Sequence, residues 1–150
     1  MSATAASRIE LRLTRLARRT VTPGSRRIGV DAVDIPTFSR QLDAGGRKLA
    51  ERWFTDEELA FADGDHDRLA ATLAGKEAVA KVLGTGIRGA VRWRTIEISR
   101  RPAGAPFVRL HAGAQDRAHT IGVDDVAVSL CHEGTMALAV ASGVTTKAVR

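Results

Sequence analysis

Cysteine, long apolar runs and signal-like segments are all scarce or missing in this sequence of 150 residues. Cys131 is its only cysteine, so no intrachain disulfide can form. No apolar run reaches the ~18 residues of a membrane-spanning helix, and the N-terminus lacks the apolar core of a secretory signal. We therefore expect a cytoplasmic protein without a membrane-embedded part. The length and the 44% hydrophobic content suit one domain with its own core.

The net charge of +6 is concentrated at the N-terminus. Residues 1–27 contain seven arginines and one acidic residue, which leaves the rest of the chain formally neutral. We predict a basic, flexible extension over residues 1–25 and a folded domain over residues 26–150. The arginine spacing of the extension suits a short amphipathic helix, and a transit peptide or a frayed terminus fits the same residues. A nucleic-acid-binding function acting through this arm is one alternative, which the neutral remainder disfavours.

The stretch Leu73–Gly86 is apolar on nearly every side when drawn as a helix, which predicts a buried helix. Glu77 and Lys81 lie one turn apart within it. A carboxylate in an apolar setting is costly unless it meets a cation or a metal, although a Glu–Lys pair at this spacing is also common on solvated surfaces. We expect both charges to be buried, and Gly84-Thr85-Gly86 to cap the helix and leave backbone N–H groups exposed.

The remaining elements predict an α+β domain, with an antiparallel sheet packed around the long central helix. A short strand contains Asp31, and Gly45-Gly46 is a candidate break in the helix that follows. Thr55 and Glu58 have the spacing of a capping box. The predicted segments are a strand at 27–33, helices at 36–53 and 55–62, a hairpin of 93–99 with 106–111, a helix at 112–120, and a strand pair of 126–130 with 136–141.

Three short motifs stand in a defined order along this chain. They are a strand carrying Gly29-Val30-Asp31, a helix carrying Lys76-Glu77-Ala78-Val79-Ala80-Lys81 followed by Gly84-Thr85-Gly86, and a late Val128-Ser129-Leu130-Cys131-His132. In this order and spacing they resemble the holo-acyl-carrier-protein synthases, the small trimeric branch of the 4′-phosphopantetheinyl transferases. The resemblance covers residues 27–141 and includes Phe54-Thr55 with Glu58-Leu59. It implies the 4′-phosphopantetheinyl transferase fold.

The resemblance implies transfer of 4′-phosphopantetheine from coenzyme A to a serine of an apo acyl carrier protein, with release of adenosine 3′,5′-bisphosphate. Asp31 and Glu77 match the Mg²⁺ ligands of the family, and Lys81 matches the lysine beside the pyrophosphate. Glu77, directly or through a water molecule, is also a candidate base for the serine proton. The other positions that we assign to coenzyme A binding are Arg68, Lys76, Gly84, Thr85, Gly86 and His132.

Two positions depart from the pattern of the family. Thr37 stands where an arginine contacts the acidic carrier protein, and Thr72 where an arginine lies near the nucleotide phosphate. Arg68, one turn earlier, could reach the space beside Thr72. The resemblance also implies a homotrimer with coenzyme A sites between subunits. A family member that lacks catalysis and acts as a scaffold or regulator remains an alternative. The residues that could offer a basic face to the carrier instead are Arg40, Arg47, Lys48 and Arg52.

A second basic stretch follows the central helix and surrounds Trp93. One aromatic residue is too few for a nucleic-acid stacking surface. In an enzyme of this family, contacts to nucleotide phosphates would use some of these arginines. The stretch consists of Arg88, Arg92, Arg94, Arg100 and Arg101.

Overall fold

A computed structural model describes residues 23–147 of the chain. Its elements follow the predicted order, with one additional 3-10 turn, so the α+β prediction is confirmed. They are β1 (Arg26–Asp34), α1 (Ile35–Trp53), α2 (Asp56–Ala62), α3 (His66–Leu83), the 3-10 turn Trp93–Thr95, β2 (Ile96–Arg100), β3 (Pro106–Leu110), α4 (Ala112–Thr120), β4 (Val123–Glu133) and β5 (Met136–Thr145).

The strands form two antiparallel sheets rather than one. One sheet has the order β1-β5-β4, and β2 with β3 forms a separate hairpin. The strands β4 and β5 are longer than predicted, because their pairing continues from Glu133 opposite Met136 to Val123 opposite Thr145. By contrast, β2 begins three residues later than predicted, because Trp93–Thr95 form the 3-10 turn. The Thr95 hydroxyl stabilises this turn by accepting a hydrogen bond from Arg92 N–H.

The central helix α3 packs on the inner face of the three-stranded sheet, which small residues line. Gly29 of β1 faces α3 so closely that a Cβ atom there would overlap the carbonyl oxygen of Ala78. Alanines of β5 that are at most 1% exposed continue this surface. A helix can approach a sheet this closely only where side chains are small. The alanines are Ala137, Ala139 and Ala141.

Local signals set the start of α1, the break within it and the start of α2, and the last two were predicted. Asp34 caps α1 by accepting a hydrogen bond from Thr37 N–H. Gly46 has a φ of 58°, outside the helical region, and divides α1 into two helical halves. The capping box of α2 is present, since Thr55 and Glu58 exchange side chain to backbone hydrogen bonds.

Most of the predicted extension over residues 1–25 lies outside the described residues and stays a prediction. The domain predicted from residue 26 begins with β1, and its last three residues also lie outside the description. Among the described helices, none combines the length and the apolar character needed to cross a membrane.

We predict that Gly29→Ala lowers the free energy of unfolding by ~3 kcal/mol, because the added methyl group pushes α3 away from β1. Chemical denaturation followed by circular dichroism measures this loss. Gly134→Ala is the control, since a Cβ atom there has open space around it. That change should cost only ~1 kcal/mol, the strain of a positive φ. Equal losses for the two variants would contradict the close packing of α3 on β1.

Candidate active site

The structure brings Asp31, Glu77 and Lys81 together between β1 and α3. Asp31 lies two residues after Gly29 on β1, so its side chain points to the same, inner face of the sheet. The Lys81 ammonium donates to Asp31 Oδ1 at 2.8 Å and to the Val30 carbonyl oxygen at 2.6 Å. Glu77 lies one turn before Lys81 on α3. A strand and a helix thus converge on two carboxylates and one ammonium group.

We expect Glu77 and Lys81 to be buried. The structure shows that Lys81 is exposed and that Glu77 is only partly buried. The three side chains meet at a solvent-accessible edge of the β1–α3 contact, which we call the groove. The Lys81 side chain is 49% exposed there, and that of Asp31 is 20% exposed. Burial raises the pKa of Glu77, and the nearby Asp31 carboxylate raises it further, while Lys81 opposes the shift. Among residues 23–147, no side-chain hydrogen bond or ion pair engages the Glu77 carboxylate, which leaves it available to a ligand.

The fully buried charge of α3 is Lys76, which we had assigned to coenzyme A binding. Its side chain has no exposure, and its ammonium lies 2.6 Å from Glu58 Oε2. It also donates to the carbonyl oxygens of Trp53 and Trp93 at 2.8 and 2.9 Å. Burial lowers the pKa of Lys76, and the Glu58 carboxylate opposes that shift. With three acceptors for its three N–H donors, Lys76 has none left for a ligand, and we remove it from the candidate set.

Glu58 has a second, structural role that sequence reasoning missed. Its carboxylate accepts hydrogen bonds from the backbone N–H groups of Thr55 and Ile98, both at 2.8 Å, besides pairing with Lys76. The sequence showed only the capping box. Because Ile98 and Lys76 lie far along the chain, no local pattern revealed that the capping residue is also the partner of a buried lysine.

The glycine loop after α3 caps the helix as predicted, with Gly84 at a φ of 74°. Its backbone N–H groups, however, point inward. Gly84 donates to Lys81 O, and both Thr85 and Gly86 donate to Ala80 O at 3.3 Å. The expectation of exposed N–H groups is therefore wrong for these three residues, because the cap itself uses them.

Two arginines that sequence reasoning missed hold the end of α3. Arg27 Nε donates to the Val82 carbonyl oxygen at 2.6 Å, and Arg117 Nε donates to that of Leu83 at 3.0 Å. Guanidinium groups at a helix C-terminus satisfy its last carbonyl groups and oppose the helix dipole. No spacing signal could identify them, because both lie far from α3 in the sequence.

His132 and Arg68 lie near the opposite end of α3 from the glycine loop. His132 Nδ1 is 3.9 Å from Asp67 Oδ2, and Arg68 Nε is 3.3 Å from Asp65 Oδ2. An 18-residue helix is ~27 Å long, so in one chain these two side chains and the glycine loop lie at opposite ends of α3. The structure therefore does not bring His132 and Arg68 to Asp31, Glu77 and Lys81.

Three comparisons with known proteins agree on one family. Residues 27–139 match the family model described as the 4′-phosphopantetheinyl transferase superfamily. A curated relative, the holo-acyl-carrier-protein synthase of Herpetosiphon aurantiacus, is 38% identical over 122 residues, which cover 77% of this chain and 96% of the relative. The chain belongs to the holo-acyl-carrier-protein synthases of this superfamily.

Solved structures of such synthases share the fold. The holo-acyl-carrier-protein synthase of Neisseria meningitidis aligns with a TM-score of 0.72 at 33% identity, covering 78% of this chain and 96% of that one. The synthase of Helicobacter pylori, solved in complex with coenzyme A, aligns with a TM-score of 0.70 at 26% identity and covers 76% and 96% of the two chains. The resemblance stated from the motifs is thereby confirmed, and with it the interpretation of the chain as an enzyme of this family.

We predict that Lys76→Met lowers the free energy of unfolding by ~3–5 kcal/mol, because it leaves the Glu58 carboxylate buried without its cation. Urea denaturation at neutral pH measures this loss. Adding Glu58→Gln to the same chain should recover part of it, since the uncompensated charge is then removed.

Lys81→Met is the matched control for this prediction. Its ion pair with Asp31 is partly exposed and should contribute no more than ~1 kcal/mol. A loss at Lys76 no larger than that at Lys81 would contradict the assignment of the buried pair.

Proposed function

We propose that this chain transfers 4′-phosphopantetheine from coenzyme A to a serine of an apo acyl carrier protein in a Mg²⁺-dependent reaction, with adenosine 3′,5′-bisphosphate as the second product. The observation that carries the proposal is the convergence of Asp31, Glu77 and Lys81 in an open groove of a family member. The relatives that match the chain are named for this activity, and one solved relative binds coenzyme A. The single cysteine supports a reducing compartment, which we propose is the cytoplasm.

The carboxylates of Asp31 and Glu77 fit Mg²⁺. This ion is typically held by one or two protein carboxylates, with water and substrate phosphate completing its coordination. The described residues contain no cluster of three or more His, Cys, Asp or Glu side chains, so no closed protein cage for a metal is present there. When bound, Mg²⁺ supplies positive charge beside the pyrophosphate of coenzyme A.

Lys81 supplies a fixed positive charge to the same place. Two of its N–H donors are used by Asp31 and the Val30 carbonyl oxygen, which orient the ammonium and leave the third donor for a phosphate oxygen. A charge held in place before the reaction stabilises the developing negative charge without reorganising.

The reaction itself exchanges one phosphorus–oxygen bond for another. The serine oxygen of the carrier attacks the β-phosphorus of coenzyme A, and the bond from that phosphorus to the adenosine bisphosphate oxygen breaks. We assign the serine proton to Glu77, directly or through a water molecule.

A homotrimer is part of the proposal, since His132 and Arg68 lie at the opposite end of α3 from the glycine loop in one chain. Apolar side chains on the outer face of the β1-β5-β4 sheet support assembly. Ile28 and Val30 are 65% and 52% exposed, and Val140 is 48% exposed. An apolar patch of this kind on a monomer indicates an interaction surface. Residues of a neighbouring chain would then provide the coenzyme A contacts that one chain cannot.

We predict that wild-type protein with coenzyme A and Mg²⁺ adds one phosphopantetheine to an apo acyl carrier protein, as measured by intact-mass spectrometry. Asp31→Asn and Glu77→Gln should each reduce the rate by at least ~100-fold, since each removes a proposed metal ligand. Asp116→Asn, on the exposed side of α4, should retain the wild-type rate. No mass gain with folded wild-type protein would favour a scaffold that lacks catalysis.

We also predict that the wild type sediments as a trimer and that Val30→Lys and Val140→Lys dissociate it, because each buries a charge in the proposed interface. Analytical ultracentrifugation measures the mass of each variant. Gln115→Lys, at an exposed position of α4, adds the same charge elsewhere and should leave the trimer intact. A monomeric wild type that transfers phosphopantetheine at full rate would overturn the trimer.

A further inference from the structure

A cavity of about 250 Å³ lies where β3, α4 and the start of β4 meet. We call it the acidic cleft. The strands β3 and β4 approach each other there without pairing. Apolar side chains that are buried or partly buried form its floor, and exposed polar or charged side chains form its rim. The floor consists of Val108, Leu110, Ala118, Val123 and Val126, and the rim of Gln115, His119, Asp124 and Asp125.

A bulge in β4 turns both aspartates of the rim outward. The pairing of β4 with β5 shifts register between Val123 and Val126, which are both buried. Strict alternation would turn one of the two residues between them inward, but Asp124 and Asp125 are both exposed. Among residues 23–147 neither carboxylate is part of an ion pair, although Arg26 lines a neighbouring cavity with them. Unpaired carboxylates beside an apolar floor suit a ligand that is both basic and apolar.

The described chain begins at the same end of the sheet. Gly24 N–H donates to the Thr145 carbonyl oxygen at 2.7 Å, and Thr145 pairs in turn with Val123 of the cleft floor. Because neighbouring strands are ~4.8 Å apart, Gly24 and Val123 are ~10 Å apart across the sheet. An extended chain spans ~3.3 Å per residue. The residues that precede Gly24 therefore need only a few peptide units to reach the acidic cleft.

Residues 1–22 carry both kinds of side chain that such a ligand needs. They contain five arginines and one acidic residue, and apolar residues stand between the arginines. The family model begins to match at residue 27, so the family assigns no role to this segment. Apolar side chains gain free energy when they leave water for the cleft floor, and arginines complement the charge of its rim. The apolar residues are Ile9, Leu11, Leu13 and Leu16.

We propose that residues 8–19 dock in the acidic cleft of their own chain. Their arginines pair with Asp124 and Asp125, and the leucines between the arginines cover the apolar floor. A segment tethered this close has an effective concentration on the order of millimolar at the cleft, which favours it over a separate partner of the same chemistry. This inference does not depend on the proposed function, because it involves none of the residues of the groove.

Hydrogen–deuterium exchange of the full chain, read by mass spectrometry, tests the docking. Amides of residues 8–19 should exchange at least about tenfold more slowly than in a synthetic peptide of the same sequence. Asp125→Lys should bring their exchange to within about twofold of the peptide. Glu133→Lys makes the same change in charge at the exposed far end of β4 and should keep the protection. Unprotected amides in the wild type, or protection that survives Asp125→Lys, would overturn the proposal.

A charge swap in the same exchange experiment tests the pairing itself. Arg12→Glu with Arg15→Glu changes only residues ahead of the family match, so the domain stays folded while the protection should be lost. Adding Asp124→Lys and Asp125→Lys to that chain restores opposite charges and should restore the protection at least about fivefold. A combined variant that exchanges like the free peptide contradicts the pairing. Protection that is lost on dilution to the monomer would assign the cleft to the extension of another copy, and docking within one chain would then be wrong.

Discussion

The buried ion pair of Lys76 and Glu58 joins five segments of the domain in one geometry. Glu58 lies on α2, Lys76 on α3, and their hydrogen bonds extend to the end of α1, to the 3-10 turn and to β2. Two charges removed from water are tolerable only if each is fully hydrogen-bonded, so these five segments have to meet in one geometry. That requirement also sets the rotation of α3 about its axis. With Lys76 turned inward, Glu77 points about 100° away, toward β1.

The distance between α3 and β1 depends on small side chains rather than on charge. Gly29 lets the backbone of β1 approach Ala78, and this close contact places Asp31 within hydrogen-bond distance of Lys81. A bulkier residue at position 29 would leave Asp31 and Lys81 in the sequence but would move them apart in space. The site therefore depends on a glycine that makes no contact with any reacting group. The packing of Gly29 against α3 thus sets the distance between the Asp31 carboxylate, two residues further along β1, and the Lys81 ammonium.

The sequence predicts well those features that depend on neighbours along the chain. The capping box of Thr55, the break at Gly46 and the extent of α4 all follow from local signals, and the structure confirms them. It predicts poorly which charge of α3 is buried, because the partner of Lys76 is a helix-capping residue from another element. The sequence also does not show that the N–H groups of the glycine loop donate to carbonyl oxygens of α3. A loop rich in glycine suggests both a helix cap and an anion site, and only the hydrogen bonds decide between them.

The motifs that identify the family do not show whether their residues meet in one chain. His132 and Arg68 lie at the start of α3, and the glycine loop lies at its end. The length of the helix therefore separates these residues in one chain. One ligand can then reach both ends only by lying along the domain or by lying between two copies of it. The homotrimer that we propose takes the second arrangement. In that proposal a second copy buries the apolar surface of Ile28, Val30 and Val140, which is exposed in a single chain.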